Sequence, residues 1–275
     1  MINNAGTDDD LKAIYLDVDG LSAYFTSALK IADALYKARE NGKEIIAYTS
    51  GLGTTNYLIA SQANEVILEK DAYGSVLPFG FSRVRQYQKD FFENIKVDMN
   101  VYAAGDFKSG PEGFTRNDMS ETDRLAWVEF VTPVWEKYKA MMETGRGFDS
   151  GTIQYIGDNY HLLATENGGD DNETALATGL VDKLMTKQEI RNYMIEKFGS
   201  EEDYEWPEGI TGREYLSTLK DEEISKKEQR AQDKNKIAVI HVDGAIVTGG
   251  IDFNTAGSGC IVKNINKARD DESVK

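Results

Sequence analysis

The chain contains 275 residues, which is enough for one large domain or two smaller ones. Hydrophobic residues make up 40% of it and charged residues 28%, as in soluble globular proteins. The formal net charge of −16 argues against a nucleic-acid partner, because phosphate binding requires a basic surface. The same charge disfavours docking on an anionic membrane surface.

The sequence offers little material for a metal or cofactor site. Its one cysteine, Cys260, permits no intrachain disulfide, and there are only two histidines, His161 and His241. These residues are too few for a zinc site, and nothing indicates a cofactor. We interpret His161 as a loop residue and His241 as a strand or core residue. No run reaches the roughly 20 apolar residues of a membrane span, and the amino terminus lacks the pattern of a signal peptide, so we expect a soluble chain.

The beginning of the chain alternates between strand and helix patterns. Strands are predicted at residues 13–18, 44–49 and 65–68, and helices at residues 25–36 and 56–63, with a tight turn at residues 50–54. Asn41 and Gly42 end the first of these helices, as residues of a C-terminal cap do. This alternation predicts an α/β fold, with a mostly parallel sheet flanked by helices.

The middle of the chain contains a long amphipathic pattern. The pattern predicts a helix at residues 82–95, a strand at 97–104 and a long helix from 120 to 145–147. It then predicts a helix that ends at 179 and is followed by a strand, and a last helix at 187–198. Ser120 and Asp123 resemble a capping box at the start of the long helix. Two neighbouring apolar stripes predict that this helix is buried over a wide face, and Pro133 should bend it.

Composition changes after residue 199 and suggests three segments. Residues 200–235 are dense in Glu, Lys, Asp and Gln, so we interpret them as an exposed, charged connector. A strand pattern resumes within residues 236–247. Residues 265–275 can be laid over residues 2–12, with Ile, Asn, Ala, Asp and Lys coinciding. We therefore predict a first repeat at 1–199, the connector, and the truncated start of a second repeat at 236–275.

Lys108 is the leading candidate for a functional residue. It follows the predicted strand at residues 97–104 and lies in a loop punctuated by Gly105, Gly110 and Pro111. Functional side chains often occupy loops that a rigid scaffold holds. For an arbitrary lysine, however, a solvated surface position is the more common explanation.

One hypothesis for the chemistry begins at Asp17 and Asp19, which follow the first predicted strand. Residues of suitable type come later in the order used by haloacid-dehalogenase-like phosphatases: Thr49, Lys108, Asp158, Asp170 and Asp171. In that family the first Asp is a nucleophile, the second an acid/base, and later acids hold magnesium. Leu21 departs from the pattern, since a threonine normally stands there, and we prefer a strand-end turn for Asp17 and Asp19.

A second hypothesis rests on residues 107–120, with the sequence Phe-Lys-Ser-Gly-Pro-Glu-Gly-Phe-Thr-Arg-Asn-Asp-Met-Ser. This stretch resembles the lysine-bearing segment of the S49 family of signal peptide peptidases, in its long form with two repeats. Further segments look like landmarks of the same family, in the same order: residues 57–66, 177–182, 242–246 and 268–275. The fold implied by the resemblance is a ClpP/crotonase-like α/β superhelix of ββα units.

The resemblance implies a serine peptidase with a Ser/Lys dyad, in which Lys108 is the general base. A lysine can take this role only if its reference pKa of about 10.4 falls by several units, through burial or neighbouring positive charge. It would then deprotonate a serine that attacks the peptide carbonyl. In the long form that serine lies in the second repeat. We therefore predict that this chain carries the base, lacks the nucleophile, and has no peptidase activity alone.

The resemblance also implies partners and a location. Family members degrade cleaved signal peptides and other short peptides, form ring-like homo-oligomers, and are anchored in the cytoplasmic membrane facing outward. Any membrane contact would come from segments absent here. A non-catalytic oligomerisation scaffold is the alternative function for the chain itself.

Overall fold

The computed structural model describes residues 1–72, 76–102, 104–105, 107–199, 206–207, 209–219, 237–242, 244–247, 249 and 255–274. The chain divides into two compact units, Met1–Gly209 and Ile210–Lys275. The predicted domain boundaries at 199 and 235 stay a prediction, and most of the predicted connector lies outside the described residues.

The first unit contains six strands and nine helices among its described residues. The strands are β1 (Ala13–Asp17), β2 (Glu44–Thr49), β3 (Leu52–Gly53), β4 (Glu65–Glu69), β5 (Val76–Leu77) and β6 (Lys183–Met185). The helices are α1 (Ile2–Ala5), α2 (Phe25–Glu40), α3 (Thr54–Ala60), α4 (Lys89–Asn94), α5 (Glu112–Thr115), α6 (Glu121–Arg146), α7 (Thr152–Glu166), α8 (Asp171–Ala177) and α9 (Lys187–Phe198).

A four-stranded parallel sheet in the order β1-β2-β4-β6 forms the centre of this unit. Alternate residues of β2 point to opposite faces, and both faces are buried. Ile45 and Ala47 pack into the larger apolar cluster, with residues of α2, α3, α6 and α7. Ile46 packs with Ile190 and Met194 of α9 in a smaller cluster. Helices cover both faces, which explains the continuous apolar runs and confirms the predicted α/β class.

Helix α6 connects the sheet's helical layer to the loop that contains Lys108. The Ser120 hydroxyl accepts a hydrogen bond from the Asp123 backbone N–H at its start, and Gly147, with φ of 68°, ends it. Tyr138 and Met142 in its second half are fully buried. The prediction of a wide buried face is wrong for the first half, because three large apolar side chains there are exposed. They are Leu125, Val128 and Phe130.

Near Lys108 and in the second unit, one predicted helix is shorter than expected and two predicted strands are absent from the described residues. Residues 82–88 form no helix, so the helix predicted at 82–95 is reduced to α4. Residues 97–102 and 104 form no strand, and residues 237–242 form none either. An alternating pattern becomes a strand only where a neighbouring strand pairs with it, and none does so here. Ala103, Lys236 and Asp243, which these predictions included, lie outside the described residues.

The second unit has a helix at 212–219 (α10), a parallel pair of short strands, β7 (Ala245–Val247) and β8 (Thr255–Gly257), and helix α11 (Ser258–Asp270). His241 precedes β7, is exposed, and belongs to no strand, so its interpretation as a strand or core residue is wrong. His161 lies within α7, on its exposed side, and not in a loop as expected. No helix in the described ranges is long and apolar enough to cross a bilayer.

Candidate active site at the Lys108 loop

Lys108 lies on an exposed turn that leads from residues 97–105 into the short helix α5. Its backbone N–H donates a long hydrogen bond of 3.4 Å to the Gly105 carbonyl. Gly105 has a φ of 96°, a conformation that favours glycine, so the glycine permits the turn. The Lys108 side chain is exposed, and the predicted position in a loop is confirmed, but the strand expected before that loop is absent from residues 97–102 and 104.

The backbone just after Lys108 is held by the side chain of Arg85. The Arg85 guanidinium donates hydrogen bonds to the carbonyl of Ser109 and, at 2.6 Å, to that of Gly110. It also donates to the Asp123 carboxylate at 3.3 Å, and its side chain is only 16% exposed. One guanidinium therefore joins the Lys108 loop to the first turn of α6.

Asp123 is the charged centre of this arrangement. Its carboxylate is almost fully buried and also binds Arg83 through two hydrogen bonds of 3.0 and 3.2 Å. The pKa of Asp123 lies below its usual value, first because the Ser109 hydroxyl donates a hydrogen bond to it, and further because Arg83 and Arg85 are positively charged. The Ser109 hydroxyl thus links the loop to the buried Asp123. The two cationic partners compensate for the free energy that it costs to bury the Asp123 carboxylate away from water.

A second set of contacts holds the chain between Ser109 and α6. The Glu112 carboxylate accepts hydrogen bonds from both the hydroxyl and the backbone N–H of Ser120, at 2.5 and 3.2 Å. The Gly113 carbonyl accepts from the Gln88 backbone N–H at 2.8 Å. A Cβ at Gly113 would lie 3.0 Å from the Gln86 carbonyl oxygen, so the glycine allows this close approach. The cap at Ser120 is as predicted, but Glu112 supplies the acid that accepts its N–H.

A cleft of about 420 Å³ is lined mostly by residues that follow the carboxyl ends of β3 and β5. Its lining combines aromatic and small polar side chains: Phe25, Thr54, Thr55, Asn56, Phe81, Ser82 and Trp127. Arg83 stacks over the Trp127 ring at 5.7 Å. Ligands of α/β proteins commonly bind at this end of a sheet. Sequence reasoning missed both the cleft and the two arginines, because no local pattern marks them.

The acidic residues of the phosphatase hypothesis serve other purposes. Asp17 accepts a hydrogen bond from the Asp19 backbone N–H at 3.0 Å, which is the predicted strand-end turn. Asp19 accepts from the Thr49 hydroxyl and the Ser50 N–H, both at 2.8 Å. Burial raises the pKa of Asp19, but the hydrogen bonds from Ser50 and Thr49 outweigh this and leave the pKa below its usual value.

The later acids of that hypothesis are dispersed over α7 and α8. Asp158 accepts from Gln154 on its own helix, and Asp170 caps α8. Asp171 accepts a hydrogen bond from the Tyr160 hydroxyl at 2.5 Å. Within the described ranges no three His, Cys, Asp or Glu side chains form a group that could hold a metal ion. The structure thus brings Asp17 and Asp19 together as a turn and gives the later acids capping and hydrogen-bonding roles.

Comparison with known proteins adds independent information. The family model of Peptidase family S49 matches residues 37–199, which include strands β2, β4 and β6 of the sheet, the Lys108 loop and α6. The chain is 30% identical over 275 residues to Protease 4 of Haemophilus influenzae, and the match covers 100% of the chain and 43% of that protein. It is 28% identical over 279 residues to Protease 4 of Salmonella typhi, with the same two coverages. The chain therefore spans less than half the length of these relatives.

Proposed function

Because the chain belongs to Peptidase family S49, we propose that it is part of a serine endopeptidase in which Lys108 is the general base. The α/β fold with its parallel sheet is consistent with the ClpP-like fold of that family. The observation that best supports Lys108 as the general base is that side chains from other segments fix its loop. Arg85, Asp123, Glu112 and Ser120 hold the residues that follow it, while the lysine side chain itself is exposed.

The proposed chemistry uses Lys108 in its neutral form. The amine takes the proton of a serine hydroxyl as that oxygen attacks the peptide carbonyl, and backbone N–H groups stabilise the oxyanion. The protonated amine then donates the proton to the leaving amino group. A lysine loses its proton near neutral pH only where burial or neighbouring charge disfavours the ammonium. Since Lys108 is exposed, another surface would have to cover it before it acts.

We place the nucleophilic serine outside these 275 residues. The two relatives are more than twice as long as this chain, and we propose that the serine lies in the part of a longer protein that corresponds to their remaining length. The surface that covers Lys108 would arrive together with this serine. Cleaved signal peptides and other short peptides are the proposed substrates. Assembly into a homo-oligomer and a location on the outer side of the cytoplasmic membrane belong to the same proposal.

Hydrolysis assays on two lengths of protein test this proposal. The pure 275-residue chain should not hydrolyse peptide esters or amides, whereas the longer protein should. In the longer protein, Lys108→Ala and Lys108→Arg should both abolish hydrolysis, because arginine keeps the charge but does not release its proton. Lys137→Ala, at an exposed position on α6, is the matched control and should keep full activity. Hydrolysis by the 275-residue chain that Lys108→Ala removes would overturn the placement of the serine. Full activity of the Lys108→Ala longer protein would overturn the general base.

A specific observation favours the second candidate function, a non-catalytic oligomerisation scaffold. Large apolar side chains in residues 84–107 and in the first half of α6 are exposed: Val84, Phe91, Tyr102, Phe107, Leu125, Val128 and Phe130. Exposed apolar groups of this kind mark interaction surfaces. Size-exclusion chromatography with light scattering tests the scaffold. Association that Phe130→Asp weakens, but that Tyr155→Asp on α7 does not, supports it. A strict monomer at high concentration would exclude it.

A further inference from the structure

Two arginines share one carboxylate beside the Lys108 loop, and in the part of the chain that the structure describes only Arg85 contacts the loop. Arg83 and Arg85 both bind Asp123, at 3.0 and 3.3 Å. Arg83 directs the rest of its guanidinium to the Trp127 ring, whereas Arg85 donates to the Ser109 and Gly110 carbonyls. Among the described contacts, Arg85 thus binds the backbone that follows Lys108, whereas Arg83 does not.

We propose that Arg85 is a positioning residue for Lys108, with Asp123 holding the guanidinium in place. This inference rests on the proposed function of Lys108 as a general base. A base must come within about 2.6–3.2 Å of the proton that it removes, and an error of about 1 Å can cost about 100-fold in rate. Fixing the carbonyls of the two residues after Lys108 fixes the direction in which its side chain leaves the backbone.

Arg85 holds this part of the loop together with a few other groups. On the amino-terminal side of Lys108, the described hydrogen bond is the long one from its own N–H to Gly105. The contacts of Glu112 and Gly113 lie four and five residues further along the chain. On the carboxyl-terminal side, the Ser109 carbonyl accepts from the Arg85 guanidinium and, at 3.0 Å, from the Glu112 backbone N–H, while the Ser109 hydroxyl donates to Asp123. Of these groups, the Arg85 guanidinium also binds the Gly110 carbonyl and the Asp123 carboxylate, so it joins two residues of the loop to α6.

The chemistry of the site suits arginine and not lysine. A guanidinium has five donors in a fixed plane and can bind two carbonyls and a carboxylate together. The Arg85 guanidinium also lies 5.6 Å from the centre of the Tyr87 ring, which restricts its plane from one side. A lysine at position 85 would keep the charge near Asp123 but could not reach all three partners in this geometry. Arg85→Lys should therefore rescue the function only in part.

The first test is steady-state kinetics of the longer protein with a peptide ester substrate. Arg85→Ala should lower kcat by about 100-fold and leave KM within about twofold, because the substrate still binds while the base is misplaced. Arg83→Ala is the matched control: it removes one partner of Asp123 but no loop contact, and should lower kcat by no more than about threefold. Added guanidinium chloride at non-denaturing concentration should restore part of the rate of Arg85→Ala and have no such effect on Lys108→Ala. Equal kcat values for Arg85→Ala and Arg83→Ala, with equal thermal stability, would overturn the proposal.

A second test does not depend on catalysis and uses the 275-residue chain. Backbone hydrogen exchange of residues 107–115, read by mass spectrometry, should become at least tenfold faster in Arg85→Ala than in Arg83→Ala. Exchange in α9, which has no contact with either arginine among the described residues, should stay unchanged in both variants. Equal exchange of residues 107–115 in the two variants would refute the positioning. If the longer protein keeps its activity after Lys108→Ala, the general base is wrong while the loop contacts can still be present. The two failures are therefore separable.

Discussion

Replacing Gly145 by alanine should destabilise the protein, whereas the same change at Gly157 should stabilise it. Both glycines lie within helices, Gly145 near the end of α6 and Gly157 in the middle of α7. Without other contacts, alanine would stabilise a helix interior by up to about 1 kcal/mol relative to glycine. The opposite signs that we expect come from the tertiary surroundings alone.

The surroundings of Gly145 leave no room for a methyl group. A Cβ there would overlap the Ser61 carbonyl oxygen and would lie 2.7 Å from the Gln62 amide nitrogen. Both residues are buried, and the Gln62 amide donates to the Leu58 and Met141 carbonyls, at 3.2 and 3.0 Å. Moving the backbone of residue 61 or breaking these bonds would cost about 1–3 kcal/mol, beyond the gain in helix propensity. At Gly157, by contrast, the nearest atom is on the Phe79 ring at 4.0 Å, an ordinary contact.

Urea denaturation followed by circular dichroism measures both effects. Gly145→Ala should lower the free energy of unfolding by about 1–3 kcal/mol, and Gly157→Ala should raise it by about 0.5–1 kcal/mol. The midpoint should shift while the slope with urea stays constant. A Gly145→Ala variant as stable as the natural protein would show that α6 does not pack against residues 61 and 62 as described. That packing fixes one end of the helix whose other end binds the Lys108 loop.

Three further outcomes test the loop and the core. The pKa of Asp123 is lowered in the folded state, mainly by the Ser109 hydroxyl. The ionised Asp123 therefore stabilises the fold above the unfolded pKa of about 3.9, and this stabilisation is lost as the pH falls through the lower pKa of the folded state. Urea titrations at several pH values from 7 to 3 should show that the free energy of unfolding of Asp123→Asn falls less in the acid range than that of the natural protein. An equal fall with pH in both proteins would count against this role of Asp123. The Tyr57 hydroxyl donates to the Leu180 carbonyl at 2.9 Å in a fully buried position, so Tyr57→Phe should cost about 1–2 kcal/mol, measured at the urea midpoint. Ser120→Ala removes the cap of α6 and should cost about 1 kcal/mol by the same assay, and an unchanged midpoint would show that the cap is unimportant.

The strands and helices whose positions depend on a short stretch of sequence were predicted well. The strands β1, β2 and β4 and the helices α2 and α6 were expected within a few residues, because each carries its own apolar period and its own end signals. The parallel arrangement followed from their alternation along the chain. Residues 97–102 had a strand pattern as well, but the pattern does not supply a partner, and the described chain has no neighbouring strand there.

For the candidate site, the sequence determined Lys108 as the residue of interest and placed it on a loop before a capped helix. It did not reveal Arg85, because the contact between Arg85 and Ser109 joins residues that are 24 positions apart. The sequence around Arg85 looks the same as that around an arginine on an exposed surface. Asp123 was recognised as a capping residue, since capping is a local interaction, but its burial between two arginines is not local. Hydrogen bonds within a turn are determined by sequence spacing. The orientation of a loop depends on side chains brought from other segments, and only the tertiary structure decides it.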